Sequence, residues 1–327
     1  MTMTARDLLA ESVRSLRAHA LRFTLTGLGL VWGVAMLTFL LAAVDGFERH
    51  FDAQLDKVGE RAVFFFPGSV SRAGVGQRDA RPVEPELSDL ARLERYDSIE
   101  RAAAHVPLGA RLMRAAGRSK LVWTYGVSAS TLEIRGFAAA SGRLLTEEDV
   151  ASSARVVFLG SAMAARIFGE RDAIGRTVHL DGLPFRVVGV SEPKHEQIIY
   201  IGPADDEIAA IPITTAQRRF LHDDVVSQLV VQPRTRAGSW DATDAGHGLL
   251  GFIHAFRPDD LGALDDFNLE EVRGIVAPLH LGVRVFLTAA SLVTLCVGAV
   301  GVMNIMLVVV RERTREIGLR KAIGGSS

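Results

Sequence analysis

The chain has 327 residues, 48% of them hydrophobic, which is enough to fill a core. Its 37 basic and 38 acidic residues nearly cancel to a net charge of −1, so no global field gathers nucleic acid or steers a charged substrate. The single cysteine, Cys296, lies in an apolar run, which excludes an intrachain disulfide framework and a cysteine-based zinc site.

Hydropathy is the main organiser. The leader "ARDLLAESVRSLRAHA" places Leu8, Leu9, Val13 and Leu16 on one helical side with arginines elsewhere, as an interfacial helix would; a plain solvated leader is the alternative. Residues 23–44, "FTLTGLGLVWGVAMLTFLLAAV", hold no charge and are predicted to be a first transmembrane helix. A cleaved signal peptide is the competing reading, opposed by the long charged leader and by Arg22 abutting the apolar run. Gly29 and Gly33 form a small-xxx-small pair through which another helix can approach, although glycine is also simply frequent in membrane helices.

Beyond the first span, helical and extended patterns alternate, which predicts a mixed α/β domain. "RAVFFFP" (61–67) reads as a buried strand, and the Gly, Ser, Arg and Pro-rich stretch to about Pro85 as a mobile loop. "ELSDLARLERY" has helical spacing; "KLVWTYGV" and "ARVVFLG" read as strands. In "RTVHLDGLPFRVVGV" (176–190), Asp181-Gly182 between two apolar-rich runs predicts a type I′ hairpin, because both turn residues need positive φ. Thr214 and Gln217 have capping-box spacing and predict a helix start, and "PRTRAGSWDATDAG" (233–246) reads as a surface loop.

No nucleotide-binding Gly-x-x-x-x-Gly-Lys-Ser/Thr, no His-Glu-x-x-His and no Gly-x-Ser-x-Gly occurs. His195-Glu196 and His222-Asp223-Asp224 read as solvated surface groups rather than metal or acid/base sites. No catalytic residue, metal or cofactor is expected.

Residues 285–310, "VFLTAASLVTLCVGAVGVMNIMLVVV", are the second predicted span. At ~1.5 Å per residue the two spans reach roughly 33 and 39 Å, against a hydrocarbon core of about 30 Å. Gly298 and Gly301 flatten the second, and Asn304, about 10 Å from its cytoplasmic end, is expected to face another helix because its amide needs a partner in lipid. Arg6, Arg14, Arg17 and Arg22 precede the first span, while Arg311, Arg313, Arg315, Arg320 and Lys321 follow the second; the outer flanks carry few cations. Both termini are therefore predicted cytoplasmic and residues 45–284 external. The closing stretch is a positive-inside anchor at the least, but Ile317, Leu319 and Ile323 among the charges, with Gly324-Gly325 after them, fit an amphipathic cytoplasmic helix with a glycine cap.

Here a resemblance becomes specific. "GAVGVMNIMLVVVRERTREIGLRKAIGGSS" resembles the second transmembrane helix and following cytoplasmic segment of MacB/FtsX-type ABC transporter permeases, and "LRFTLTGLGLVWGVA" is similar to their first helix. "GRLLTEEDV", "FLGSAMAARIFGERDAIGRTVHLDGLPFRVVGV" and "KVGERAVFFFPG" resemble their periplasmic core domain. The resemblance covers nearly the whole chain in the right order.

It implies a non-catalytic permease subunit in a bacterial cytoplasmic (inner) membrane. Implied partners are a separate ABC ATPase, a second permease copy or homologue, a periplasmic adaptor and membrane lipids, without nucleic acid. Carried over by position, Arg313, Arg315, Glu316, Ile317, Gly318, Arg320, Lys321 and Gly324 form the ATPase-coupling surface, and the external domain moves in response, a mode called mechanotransmission. The pattern also calls for two more membrane helices after the coupling segment, which implies a fragment, a truncated product, or helices supplied by another polypeptide.

The expected fold class is thus a membrane protein with two α-helical transmembrane segments and a large mixed α/β extracytoplasmic domain. Its expected parts are a leader (1–22), a first span (23–44), a periplasmic core domain (45–284) with a strand-rich insertion near 126–204, a second span (285–310) and a coupling segment (311–327). The expected function is an ABC permease for export or extraction of an amphiphilic substrate. A two-span sensory receptor is the alternative, and an anchored extracytoplasmic enzyme lacks any catalytic constellation.

Overall fold

The computed structural model describes residues 20–71, 81–169, 171–194, 202–224 and 226–322. The leader, except for its last three residues, and His195-Glu196 lie outside them. The chain divides into two compact units, one made of residues up to 49 together with those from 276 onward, the other of residues 50–275.

Helix α1 is Ala20–Val58, and it continues well past the charge-free run that ends at residue 44. Hydropathy marks only a stretch that suits lipid; nothing in "DGFERHFDAQLDKV" is a strong helix breaker, so the backbone ladder persists until Gly59. Strand β1 (Val63–Pro67), helix α2 (Leu87–Leu93), and the long strands β2 (Ile99–Ala115) and β3 (Arg118–Val127) follow. The expected loop before Pro85 is paired at its base, where Ser69 bridges Pro82 and Val70 N–H donates to Arg81; residues 72–80 lie outside the described set.

Next come α3 (Ala129–Ile134), β4 (Ala139–Gly142), α4 (Glu147–Ala151), β5 (Val156–Leu159), α5 (Ser161–Phe168), β6 (Thr177–Leu180) and β7 (Leu183–Ser191). The two-residue turn between β6 and β7 has φ of 49° at Asp181 and 88° at Gly182, the positive pair read from the sequence.

After a 3-10 turn come β8 (Ile208–Pro212) and the short helix α6 (Ile213–Ala216), which runs into a π turn, Gln217–Leu221. Pro212 occupies the N-cap of α6, so the expected capping box at Thr214 and Gln217 is not formed. The Thr214 hydroxyl instead donates to the Val150 carbonyl on α4.

Strand β9 (Gln228–Pro233), helix α7 (Ser239–Ile253), strand β10 (Leu264–Asn268) and helix α8 (Leu269–Ala322) complete the fold. Half of the expected surface loop at 233–246 is therefore the start of α7. Asn268 Oδ1 accepts the Glu270 N–H at the start of α8, and Glu270 and Glu271 suit the positive end of its dipole. Pro278 lies inside α8.

The ten strands form one sheet in the order β10-β1-β9-β2-β3-β8-β5-β7-β4, with β6 pairing β2 and β7. β1, from the start of the domain, pairs with β9 and β10 from its end, whereas β4 to β7 fall within residues 126–204. β3 pairs β8 in parallel and β5 pairs β7 in parallel; the other pairings are antiparallel.

Strand periodicity divides the core. Val63 and Phe65 of β1, Ala102 and Ala104 of β2, and Leu229 and Val231 of β9 join the largest cluster, which α2, α5, α6 and α7 cover. The intervening Phe64, Ala103 and Val230 turn to the opposite face and meet Leu55 and Val58 of α1, Ile134 of α3 and Leu269 of α8. Both long helices are thus rooted on one sheet face, where side chains such as Phe64 are fully buried, each worth roughly 1.5–3 kcal/mol.

Candidate coupling site

The expected coupling segment is helical as far as it is described. Residues 311–322 continue α8 without interruption, so Arg313, Arg315, Glu316, Ile317, Gly318, Arg320 and Lys321 lie on one helix. Ile317 and Leu319 are more than half exposed, and Arg315, Gly318 and Lys321 are exposed as well. Gly324 lies outside the described residues.

In the unit made of the chain's two ends, α1 and α8 pack closely at two glycines. A Cβ added at Gly33 would sit 2.8 Å from Thr294 Cγ2, and one at Gly298 would sit 2.7 Å from Leu30 Cδ1. Either would oblige the facing side chain to shift. Gly29 faces open space, Gly301 is half-buried and Asn304 is exposed on the chain. Beside the close contact lies an apolar groove of about 820 Å³ lined by Leu30, Val34, Leu37, Leu292 and Leu295 among others. The Thr288, Ser291 and Thr294 hydroxyls on α8 donate back to carbonyls four residues earlier, so they present little unsatisfied polarity to the groove. Arg284, which also lines the groove, pairs with Asp45 and, at 3.6 Å, with Glu48.

In the domain unit, the last turns of α1 and the first turns of α8 carry a second ion network. Arg273 donates to Asp52 at 3.2 Å, Asp56 at 2.6 Å and Glu270 at 2.5 Å, while Arg236 reaches Asp56 at 3.1 Å. The acidic positions 45, 48, 52 and 56 follow helical spacing, which sets them on one side of α1.

The end of α1 holds a buried cluster. Lys194 Nζ donates to the Lys57 carbonyl at 2.8 Å, the Arg135 carbonyl at 2.5 Å and Asp205 Oδ2 at 2.9 Å, and lies 3.9 Å from the centre of the Phe137 ring. Arg135 Nη2 donates to the other Asp205 oxygen at 2.5 Å. Two helix C-termini, those of α1 and α3, so share one ammonium, the charge their dipoles favour. Burial pushes the Lys194 pKa down, and Asp205 opposes that shift.

The adjacent His105 ring is lowered to about 3 by burial, then by the Arg135 charge, against a hydrogen bond with Gln228; it meets Tyr125 edge to face. Gly59 permits the close approach here, since a Cβ on it would lie 2.8 Å from the Ile134 carbonyl. None of this cluster was singled out from the sequence. Arg135 and Lys194 lie 59 positions apart, and no motif links them. Among the described residues no group of His, Cys, Asp and Glu is arranged to hold a metal ion.

Two helices long and apolar enough to cross a membrane, flanking a sheet-based α/β domain, define a membrane protein with a large extracytoplasmic domain. Residues 23–245 match the family model of the MacB-like periplasmic core domain. The chain belongs to that family, among the MacB-type ABC transporter permeases. It is 30% identical to the macrolide export ATP-binding/permease protein MacB of Chlorobium luteolum over 96% of this chain and 47% of the relative. With the protein of the same name from Hyphomonas neptunium it shares 32% identity over 97% of this chain and 48% of the relative. The chain thus spans about half the length of these curated relatives.

Its fold is similar to the periplasmic region of MacB from Actinobacillus actinomycetemcomitans, with TM-score 0.52 and 20% identity over 68% of this chain and 95% of that one. It is also similar to the extracellular domain of the ABC-type transporter YknZ from Gram-positive bacteria, with TM-score 0.51 and 16% identity over 63% of this chain and all of that one.

Proposed function

We propose that this chain is the membrane-spanning permease part of an ABC transporter that works with a separate ATPase. ATP binding by the partner acts on residues 311–324, and the motion is delivered outward along α8 to the external domain, driving export or extraction of an amphiphilic substrate. Both termini lie in the cytoplasm, residues 45–284 lie in the periplasm, and a second permease copy completes the assembly with a periplasmic adaptor.

The observation that carries this reading is α8 itself, one helix from Leu269 to Ala322, about 80 Å long at the helical rise. Its first residue is in the core of the sheet domain and its last turns carry the cationic, partly apolar tail. Such an element can turn a small rotation at one end into displacement at the other, provided its packing has two discrete arrangements. The relatives' description as macrolide exporters supports a bulky amphiphile as substrate.

The test is Glu316→Arg in the full-length protein assembled with its ATPase. Membrane insertion is retained and substrate-dependent stimulation of ATP hydrolysis is lost. Unchanged stimulation overturns the assignment of the tail.

A further inference from the structure

We infer that Lys194 is a positioning residue for coupling: its ammonium latches the outer end of α1 to α3 and to the segment leading into β8, so that these pieces move as one body. The inference rests on the coupling role proposed above and adds the point at which the first helix grips the domain.

A lysine ammonium has three protons, and here each has its own acceptor on a different stretch of chain: the last turn of α1, the end of α3, and Asp205. Its backbone N–H also donates to Asp206, which accepts the Ser161 hydroxyl as well. One residue therefore ties the last turn of α1 to the end of α3 and to the segment leading into β8. Lys194 is 8% exposed and Asp205 2%.

Stability alone does not call for such a group. A buried ion pair is often matched or exceeded by apolar residues of the same volume, whereas its geometry is highly specified. Apolar packing between α1 and the sheet is already supplied by Leu55 and Val58. What the ammonium adds is direction. Oil-like contacts allow a helix end to slide, while three charge-assisted bonds fix where its carbonyls sit.

The test compares the full chain in lipid nanodiscs as wild type, Lys194→Met and Lys194→Arg, by amide hydrogen exchange. In Lys194→Met the amides of residues 54–61 and 134–137 exchange together at least about ten-fold faster, while β9 and β10 keep their protection and Lys194→Arg restores most of the loss. If the Met variant does not fold, Lys194→Gln, which keeps donors but no charge, carries the same expectation. Unchanged exchange at residues 54–61 overturns the latch. So does a rise spread evenly over the sheet, which signals lost stability and not a lost joint.

Assembled with its ATPase, Lys194→Met hydrolyses ATP within about two-fold of the basal rate and moves substrate at least about ten-fold more slowly. Transport at the wild-type rate overturns the coupling role. A wild-type chain that assembles with no ATPase is instead the failure of the proposed function, visible before any variant is made, and the exchange result still decides the latch.

Discussion

The two long helices are rooted in the same sheet face by opposite means. At the end of α1 the ions are buried: Arg135, Lys194 and Asp205 are 5%, 8% and 2% exposed. At the start of α8 two of the three carboxylates that meet the Arg273 guanidinium stay wet, Asp52 and Asp56 with side chains 46% and 38% exposed, while Glu270 is 16% exposed. Water and salt screen the exposed part of the second network, whereas Lys194 and Asp205 in the first have exchanged solvent for fixed partners. The α1 root is therefore specified in position, and the α8 root is held mainly by packing with an adjustable electrostatic supplement.

The widest contrast should come from removing one ion at each root. Asp205→Ala leaves Arg135 and Lys194 as buried cations without their shared anion, at a cost of about 3–5 kcal/mol, seen as a large fall in thermal unfolding temperature. A loss below about 1 kcal/mol would mean that the α1 root is as wet as the other.

Acid should sharpen the same contrast. His105 has its pKa lowered from 6.5 to about 3, so between those values the unfolded chain binds a proton that the folded chain refuses. Stability from this ring is complete above pH 6.5 and is lost as pH falls, by about 3 kcal/mol at pH 4. The protonated ring would bring a third cation to the Arg135–Lys194 cluster. Denaturant unfolding across pH 4–7 should show a shallower slope in His105→Asn than in the wild type; equal slopes would remove the histidine from the account.

The smallest effect belongs to the wet root. Arg273→Met should cost about 1 kcal/mol or less, with most of the electrostatic part gone at 1 M salt, as double-mutant cycles with Asp56→Asn can measure. A larger coupling that survives salt would show that the α8 root is also locked by charge.

Much of this architecture could be read before any coordinates. The charge-free runs fall inside the two long helices, "VFFFP" marked β1, and Asp181-Gly182 marked the β6–β7 turn. Other elements were hidden by their composition. β2 is rich in alanine and arginine and contains Pro107, which sits at the bulge between residues 107 and 109, so neither propensity nor alternation announces a strand.

α7 hides its period in small residues. Ser239, Ala242, Thr243, Gly246, His247, Leu250 and Gly251 are buried at helical spacing, yet few of them score as hydrophobic. Gly246 is pressed so closely on the Phe65 ring that a Cβ there would lie 2.3 Å from it.

At the candidate site, Gly33 and Gly298 stand in patterns of small residues visible in the sequence, although Gly29 of the first pattern faces open space. The node at Lys194 stands in none, because Arg135 and Asp205 lie 70 positions apart and meet only through the fold of the sheet. Local sequence carries backbone tendencies; it does not carry which distant charges will share one cavity.

Pro278, inside α8, has no amide hydrogen to offer the carbonyl of Gly274, so the longest helix among the described residues lacks one rung of its ladder near the domain. Flexure at that turn is less costly than at any fully bonded one. The element proposed to carry a stroke thus also contains a compliance, and how sharply a push would arrive at its far end depends on a single imino acid.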